Sequence, residues 1–240
     1  MRQSNTYILL YSAAITVVCG GLLAFAAVSL KPMQDANIAM EQKKNILASV
    51  LTLQEGQSID SIYSKQVKGF VIDFEGNVVE GKKPEDIIVA VEYKKVPKDR
   101  LLPVYEFRND SNKVQFAVMP VYGYGLWNNI WGFVAVKSDF NTIQGVKFQH
   151  AGETPGLGAR IESEEIQERF KGKTIFDNGT LTAVAIQKGE GNDYSDNPHK
   201  VDGMSGATLT GKGVNNMLKD YMACYEKYLK KKASSKTSSL

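Results

Sequence analysis

Residues 201–213 read VDGMSGATLTGKG: four glycines, one lysine, and the hydroxyls of Ser205, Thr208 and Thr210, just ahead of an amphipathic stretch. Two chemistries fit such a string. One is a phosphate-cradling P-loop, G-x-x-x-x-G-K-[ST]. The other is a threonine at a helix start that carries a phosphate on its own oxygen. Residues 206–212 supply GATLTGK, but the eighth position is Gly213, so the hydroxyl that would bind magnesium is missing. The preceding GNDYSDNPHKVDGM is polar and turn-rich, unlike the buried strand a P-loop follows, and no later aspartate ends an apolar strand. An NTPase site is not expected. What remains is a small-residue turn, Ser205-Gly206-Ala207, leading into Thr208. A helix start offers unpaired N–H groups and the positive end of a dipole, which favour phosphate there. Gly206 and Ala207 leave the backbone open to approach. The competing reading makes Thr208 or Thr210 a plain N-cap. The local residues alone leave both open.

The elements that must position this string are legible around it. Val214, Met217, Leu218, Tyr221, Met222, Tyr225 and Leu229 recur at helical spacing, which predicts a helix with one core face over 214–229. Upstream, GFVIDFEGNVVEG predicts a hairpin around Glu75, Gly76 and Asn77. PVYEFRNDSNKVQFAVMPV predicts a second across 109–112, and WGFVAVKSDFNTIQGVKFQ two more strands around Ser138 and Asp139. A further strand fits LTAVAIQ, and ESEEIQERFKG reads as helix. Strands in runs with helices at the edges predict an α+β domain, mostly antiparallel sheet with flanking helices.

Bulk properties bound the rest. The chain has 240 residues, 43% of them hydrophobic, enough for one domain with an appendage. Net charge is +3, and much of the excess sits in the tail YLKKKASSKTSSL, so nucleic-acid binding has no compositional support. Cys19 and Cys224 are far apart, and His150 and His199 are the only histidines. A disulfide framework and a Cys/His metal centre are both excluded.

The first segment reads as a membrane helix. Residues 7–30 carry no charge and are bracketed by Arg2 and Lys31; that length crosses a hydrocarbon core of roughly 30 Å. A cleaved signal peptide, with a small-x-small site at Ala24-Phe25-Ala26, is the weaker reading because the apolar run is long. A lipoprotein at Cys19 is disfavoured by the bulk of Val18. Residues 33–53 then turn amphipathic, with Ile38, Ile46, Leu47, Val50 and Leu51 sharing a face, as a stalk helix would. The expected organisation is a transmembrane anchor over 1–32, a stalk over 33–56, a domain over 57–230 and a basic, Ser-rich tail over 231–240. Lys31, Lys43 and Lys44 outnumber Arg2, a small excess that by itself favours a cytoplasmic domain.

Three strings, taken together, resemble a known family. Asp202-Gly203-Met204-Ser205-Gly206-Ala207-Thr208 resembles the flavinylation signature of FMN-binding domains, D-x-x-[ST]-G-A-T. GYGLWNNIWGF (123–133) resembles that family's G-x-G-L-W segment, and HAGETPGLGARI (150–161) its E-T-P-G-L-G segment. Their order, after one membrane helix, is similar to the C subunits of sodium-translocating NADH:quinone reductases. The resemblance covers most of the chain; residues 61–113 carry no matching motif.

The resemblance implies a membrane-anchored electron carrier with FMN joined covalently to Thr208 by a phosphoester. A separate magnesium-dependent flavin transferase would use FAD as donor and recognise Asp202. Thr208 has no adjacent base to activate it, which agrees with activation from outside. Ser205, Gly206 and Ala207 would then line the attachment point, and Leu126 and Trp127 would lie flat against the isoalloxazine ring. The turn holding Glu153, Thr154, Leu157 and Gly158 would hydrogen-bond the ring and tune its redox behaviour. Lys188 and Lys212 are candidate phosphate neighbours, Thr210 the rival acceptor, and Trp131 either a ring contact or a core aromatic. No residue of this chain is expected to be catalytic or to bind metal, and no dinucleotide fingerprint is present, so the chain alone is not expected to turn over NADH. The implied partners are the other subunits of the reductase complex, the transferase and the inner (plasma) membrane, with the domain on the extracytoplasmic side. Two alternatives stand beside this: the G subunit of an Rnf-type ferredoxin:NAD complex, which shares the flavinylation string, and a non-redox membrane-anchored binding module in which GAT only caps a helix.

Overall fold

In the computed structural model, the described residues are 4–54 and 56–237. They fall into two units, the first ending at Lys43 and the second starting at Lys44. The first helix, α1, runs Asn5–Ala48. The two helical segments expected on either side of Lys31-Pro32 are therefore one continuous element, with Pro32 inside it. Proline removes one backbone donor and crowds the preceding turn; the helix nonetheless continues on both sides of it. Its apolar part is long enough to cross a membrane by length and composition.

The second unit is an antiparallel sheet covered on both faces. After α2 (Ile59–Gln66), capped by the Ser58 hydroxyl, come β1 (Val67–Ile72), the short helix α3 (Val89–Glu92), and β2 (Leu102–Arg108). β3 (Val114–Tyr124), β4 (Asn129–Lys137) and β5 (Ile143–His150) follow. The five strands lie in sequence order, each antiparallel to the last. The hairpins expected across 109–112 and around Ser138-Asp139 form as read. Asp139 closes the second by accepting from the amides of Asn141 and Thr142. The hairpin expected around Glu75-Gly76-Asn77 turns back only as far as an Ile72–Val78 bridge, so its second arm never becomes a sheet strand.

Beyond the sheet lie α4 (Glu164–Glu168), a two-residue hairpin β6 (Phe176–Asp177) with β7 (Thr180–Leu181), and a parallel pair β8 (Ala185–Ile186) with β9 (Lys200–Val201). The single strand expected at LTAVAIQ is thus split: Ala183, at φ 51°, breaks the extended run between β7 and β8. Last comes α5, Thr208–Thr237.

Alternation along β3 sets the two faces. Ala117, Met119 and Val121 point to one side and Val118 to the other. The first side packs under α5 through Val214, Met217, Leu218, Tyr221, Met222, Tyr225 and Leu229, the stripe expected from spacing. Each such side chain contributes about 1.5–3 kcal/mol on burial. The second side holds Tyr105, Phe107, Val118, Phe133 and Ala135 under Ile46, Leu47 and Val50. The second unit therefore begins inside the segment read as a stalk. Of that segment's expected apolar face, Ile38 and Leu51 are exposed. The tail reading changes too: α5 continues through Thr237, and Lys232 pairs with the buried Glu106 at 2.6 Å. Residues 238–240 lie outside the described residues.

Glycines let α5 settle against the sheet end. A Cβ on Gly213 would lie 2.4 Å from the Tyr124 carbonyl oxygen, and one on Gly123 would lie 2.8 Å from the Met217 Cβ. This is the physical reason for Gly213 where a P-loop would have a hydroxyl. Thr208 to Lys212 are helical, so no phosphate-wrapping loop exists there. Gly213→Ala is expected to lower stability by about 1–3 kcal/mol through overpacking, read as a fall in melting temperature of the detergent-solubilised chain. Exposed Lys212→Ala is the control and should leave the melt unchanged.

Candidate functional site

The three strings singled out in the sequence meet at one end of the sheet. The 125–128 loop connects β3 to β4, the 151–158 turn follows β5, and the 203–207 turn feeds α5. Glu153 joins them. Its carboxylate accepts from the Trp127 amide at 2.9 Å and from the Thr210 hydroxyl at 2.5 Å. Its own amide donates to His150 Nδ1 at 3.2 Å. Glu153 is 4% exposed. Burial alone would raise its carboxyl; hydrogen bonds from Thr210 and the amides of Trp127, Asn128 and Leu126 outweigh that and hold it below the usual carboxylate range. Two glycines make room for it: a Cβ on Gly125 or Gly158 would fall 2.4 and 2.6 Å from its oxygens.

The remaining predicted residues sit around this junction. Gly206, at φ +71°, makes the turn before α5, and Leu157 leans over it, 2.8 Å from where a Gly206 Cβ would be. Thr154 shapes its turn through its carbonyl, which accepts from the amides of Leu157 and Ala159 at 3.1 Å each. Thr208, Ser205 and Gly206 are exposed; Ala207 is buried. Thr208 is the first helical residue, and the first helical bond runs from Gly211 N–H to Ala207 O. The amides of Thr208, Leu209 and Thr210 therefore have no protein acceptor among the described residues. Apolar surface crowds the same place: Trp127 is 70% exposed, Leu209 56%, Leu126 46% and Leu157 42%.

Thr210 differs from Thr208 in burial and in hydrogen bonding. It is 1% exposed and its hydroxyl is committed to Glu153. It caps no helix. Trp131 is placed on the sheet, its indole N–H donating to Gln149 Oε1 at 2.9 Å, with neighbouring Ile130 in the core under α5. Alternation puts Trp131 on the opposite face, away from α5. Lys188 and Lys212 are exposed and make no hydrogen bond or ion pair among the described residues. Lys212 lies one turn after Thr208, on the same helix face.

A second network went unread in the sequence. Glu190 accepts from Arg160 at 3.0 and 2.5 Å, from Arg169 at 3.4 Å and from the Ser205 amide at 2.9 Å. The Arg160 guanidinium, then the Ser205 amide, hold the Glu190 carboxyl down at about 2. Arg169 also donates to the carbonyls of Asp202 and Gly203. Asp202 accepts from the amides of Gly191 at 2.7 Å and Asn192 at 3.2 Å, and these outweigh burial to lower its carboxyl. Asp202 thus fastens the 189–192 loop to the turn before Thr208. Nothing in the periodicity of KGEGNDYSDNPH marks Glu190, and no local pattern gives Arg160, two residues after Gly158, a partner.

An exposed hydroxyl at a helix start, free amides around it and an apolar rim together suit a phosphorylated planar ligand. This is the arrangement of a flavin-mononucleotide-binding module, and residues 125–223 match the family model described as FMN-binding domain. The chain belongs to the NqrC family, the C subunits of Na(+)-translocating NADH-quinone reductase. Those relatives are named as one subunit of an NADH-quinone reductase, an oxidoreductase complex. The chain is 34% identical over 224 residues to the C subunit from Haemophilus ducreyi, covering 85% of this chain and 84% of the relative. It is 34% identical to the one from Pseudomonas aeruginosa, covering 90% and 91%. Among solved structures, the C subunit from Parabacteroides distasonis superposes with a TM-score of 0.74 at 33% identity, over 83% of this chain and 96% of that one. Shewanella oneidensis NqrC gives 0.69 at 29% identity, over 81% and 97%.

The acid response of the second network follows from its carboxylates. Glu190 titrates at about 2 when folded against 4.5 ordinarily, and Asp202 is also lowered. A lowered folded pKa gives stability that is complete above the ordinary value and is lost as pH falls through the folded one. The urea midpoint is therefore expected to hold above pH about 5 and to fall between pH 4.5 and 2. In Arg160→Gln that acid slope should flatten, because Glu190 moves back toward its ordinary value.

Proposed function

We propose that the chain is a membrane-anchored electron carrier with FMN esterified to Thr208, relaying electrons inside a sodium-pumping NADH:quinone oxidoreductase. The observation that carries this is the contrast between two hydroxyls two residues apart. Thr208 is exposed among free amides and an apolar rim, whereas Thr210 is buried and bonded to Glu153. Only the first is reachable by an enzyme.

The chain's own residues bind and orient. The amides of Thr208, Leu209 and Thr210 and the α5 dipole favour a phosphate bonded to Thr208 Oγ1. Trp127, Leu126 and Leu157 offer apolar surface for a flat ring. Ser205, Gly206 and Ala207 keep the approach to Thr208 open, and Gly158 lets the 151–158 turn close against α5. Thr154, exposed in that turn, is free to meet the ring edge. Lys212, one turn along, adds positive charge near the phosphate. Bound FMN supplies the electron-accepting chemistry.

Attachment needs a partner, since no base neighbours Thr208. A flavin transferase with FAD as donor balances the step: a bond forms between Thr208 Oγ1 and the FMN phosphorus, the pyrophosphate bond breaks, AMP leaves, and the hydroxyl proton passes to a base of the transferase. Asp202 contributes to recognition by holding the turn that presents Thr208. The helix over 5–48 anchors the chain in the inner membrane, with the FMN domain on the extracytoplasmic side.

Co-expression with a flavin transferase should give a band that fluoresces under ultraviolet light after denaturation. Thr208→Ala should abolish the fluorescence. Thr210→Val should retain it at reduced intensity. A dark wild-type band, or a bright Thr208→Ala band, ends this reading.

A further inference from the structure

Glu153 carries a full charge in a buried place, yet it forms no ion pair among the described residues. The contrast within the same domain is sharp. Glu106, equally buried, is met by Lys232 and Arg108; Glu190 is met by Arg160 and Arg169. Glu153 is met only by neutral donors: the Thr210 hydroxyl and the amides of the 126–128 loop. Hydrogen bonds of this kind stabilise an anion without cancelling its charge. Two close glycine approaches, at Gly125 and Gly158, are spent on admitting that carboxylate.

We propose that Glu153 is a positioning residue with an electrostatic function: it pins the loop of Leu126 and Trp127 to the α5 turn that carries Thr208, and it sets a negative field beneath the flavin site. The assignment deepens the FMN reading and rests on it for the field, though not for the pin. It differs from a direct ring contact, because both oxygens of Glu153 are occupied by the protein. A fixed negative charge near a group that gains electrons makes that gain less favourable, so Glu153 lowers the midpoint potential of the flavin. A neutral hydrophobic wedge would fix the same geometry without that field.

Two substitutions separate pin from field, both in the full-length chain in detergent. Glu153→Ala removes every acceptor. In the chain without flavin, it should speed hydrogen exchange of the Leu126, Trp127 and Asn128 amides at least tenfold, with the β2–β3 amides unchanged. In the chain matured with a flavin transferase, the covalent flavin per protein, read by in-gel fluorescence, should fall at least fivefold. Glu153→Gln keeps an acceptor of the same reach and loses the charge. It should keep most of the covalent flavin while its midpoint potential, read by spectroelectrochemical titration, moves positive of wild type. If Glu153→Gln does not accumulate folded protein, the flavinated fraction that Glu153→Ala retains replaces it; that variant also lacks the charge, so its potential should likewise move positive of wild type. Unchanged exchange at 126–128 in Glu153→Ala overturns the pin. An unchanged potential in the variant measured overturns the field. A wild-type chain that takes no flavin at all defeats the FMN reading and with it the field, while the exchange result still decides the pin.

Discussion

One buried carboxylate holds the working end of this domain together. Glu153 reaches from the turn after β5 to the loop after β3 and to the first turn of α5, three segments distant in sequence. A buried charge is costly unless its lone pairs are filled. The loop amides and the Thr210 hydroxyl fill them here, and in doing so become fixed relative to one another. The site is therefore as rigid as the hydrogen bonds to one side chain, and its apolar rim stays exposed without collapsing.

The same end of the fold depends on missing side chains. Gly123 and Gly213 let α5 lie against the end of β3, Gly125 and Gly158 admit Glu153, and Gly206 supplies the positive φ of the turn before Thr208. Beneath, α5 is fastened by its apolar stripe and by the buried Glu106, which Lys232, Arg108 and Tyr228 surround. The helix that presents Thr208 is thus held at both ends by carboxylates, one paired with cations and one not. Tight packing along its length makes its first turn a fixed platform.

Much was legible before folding. Period-two runs gave β2 to β5, and the helical stripe gave the core face of α5, because both patterns report directly which side of an element leaves water. Thr208, the 125–128 loop and the 151–158 turn were marked only by resemblance to the FMN-binding family, since their local residues leave a plain helix cap equally open. Illegible were the continuous helix through Pro32, the split of LTAVAIQ by Ala183, and the helical continuation into the basic tail. In each case the folded chain departs from local preference. Illegible also was the difference in environment between Thr208, exposed, and Thr210, buried and bonded to Glu153, since the two share residue type, helix and turn.

The sequence by itself determined the elements, the apolar anchor and the string that marks an FMN-binding domain, because hydrophobic period, length and turn chemistry are local properties. Only the tertiary structure decided what Glu153, Thr210, Asp202 and Glu190 do. Their carboxylate and hydroxyl partners lie 10 to 57 residues away, and the hydrogen bonds that define them exist only once burial has removed water as the competing partner.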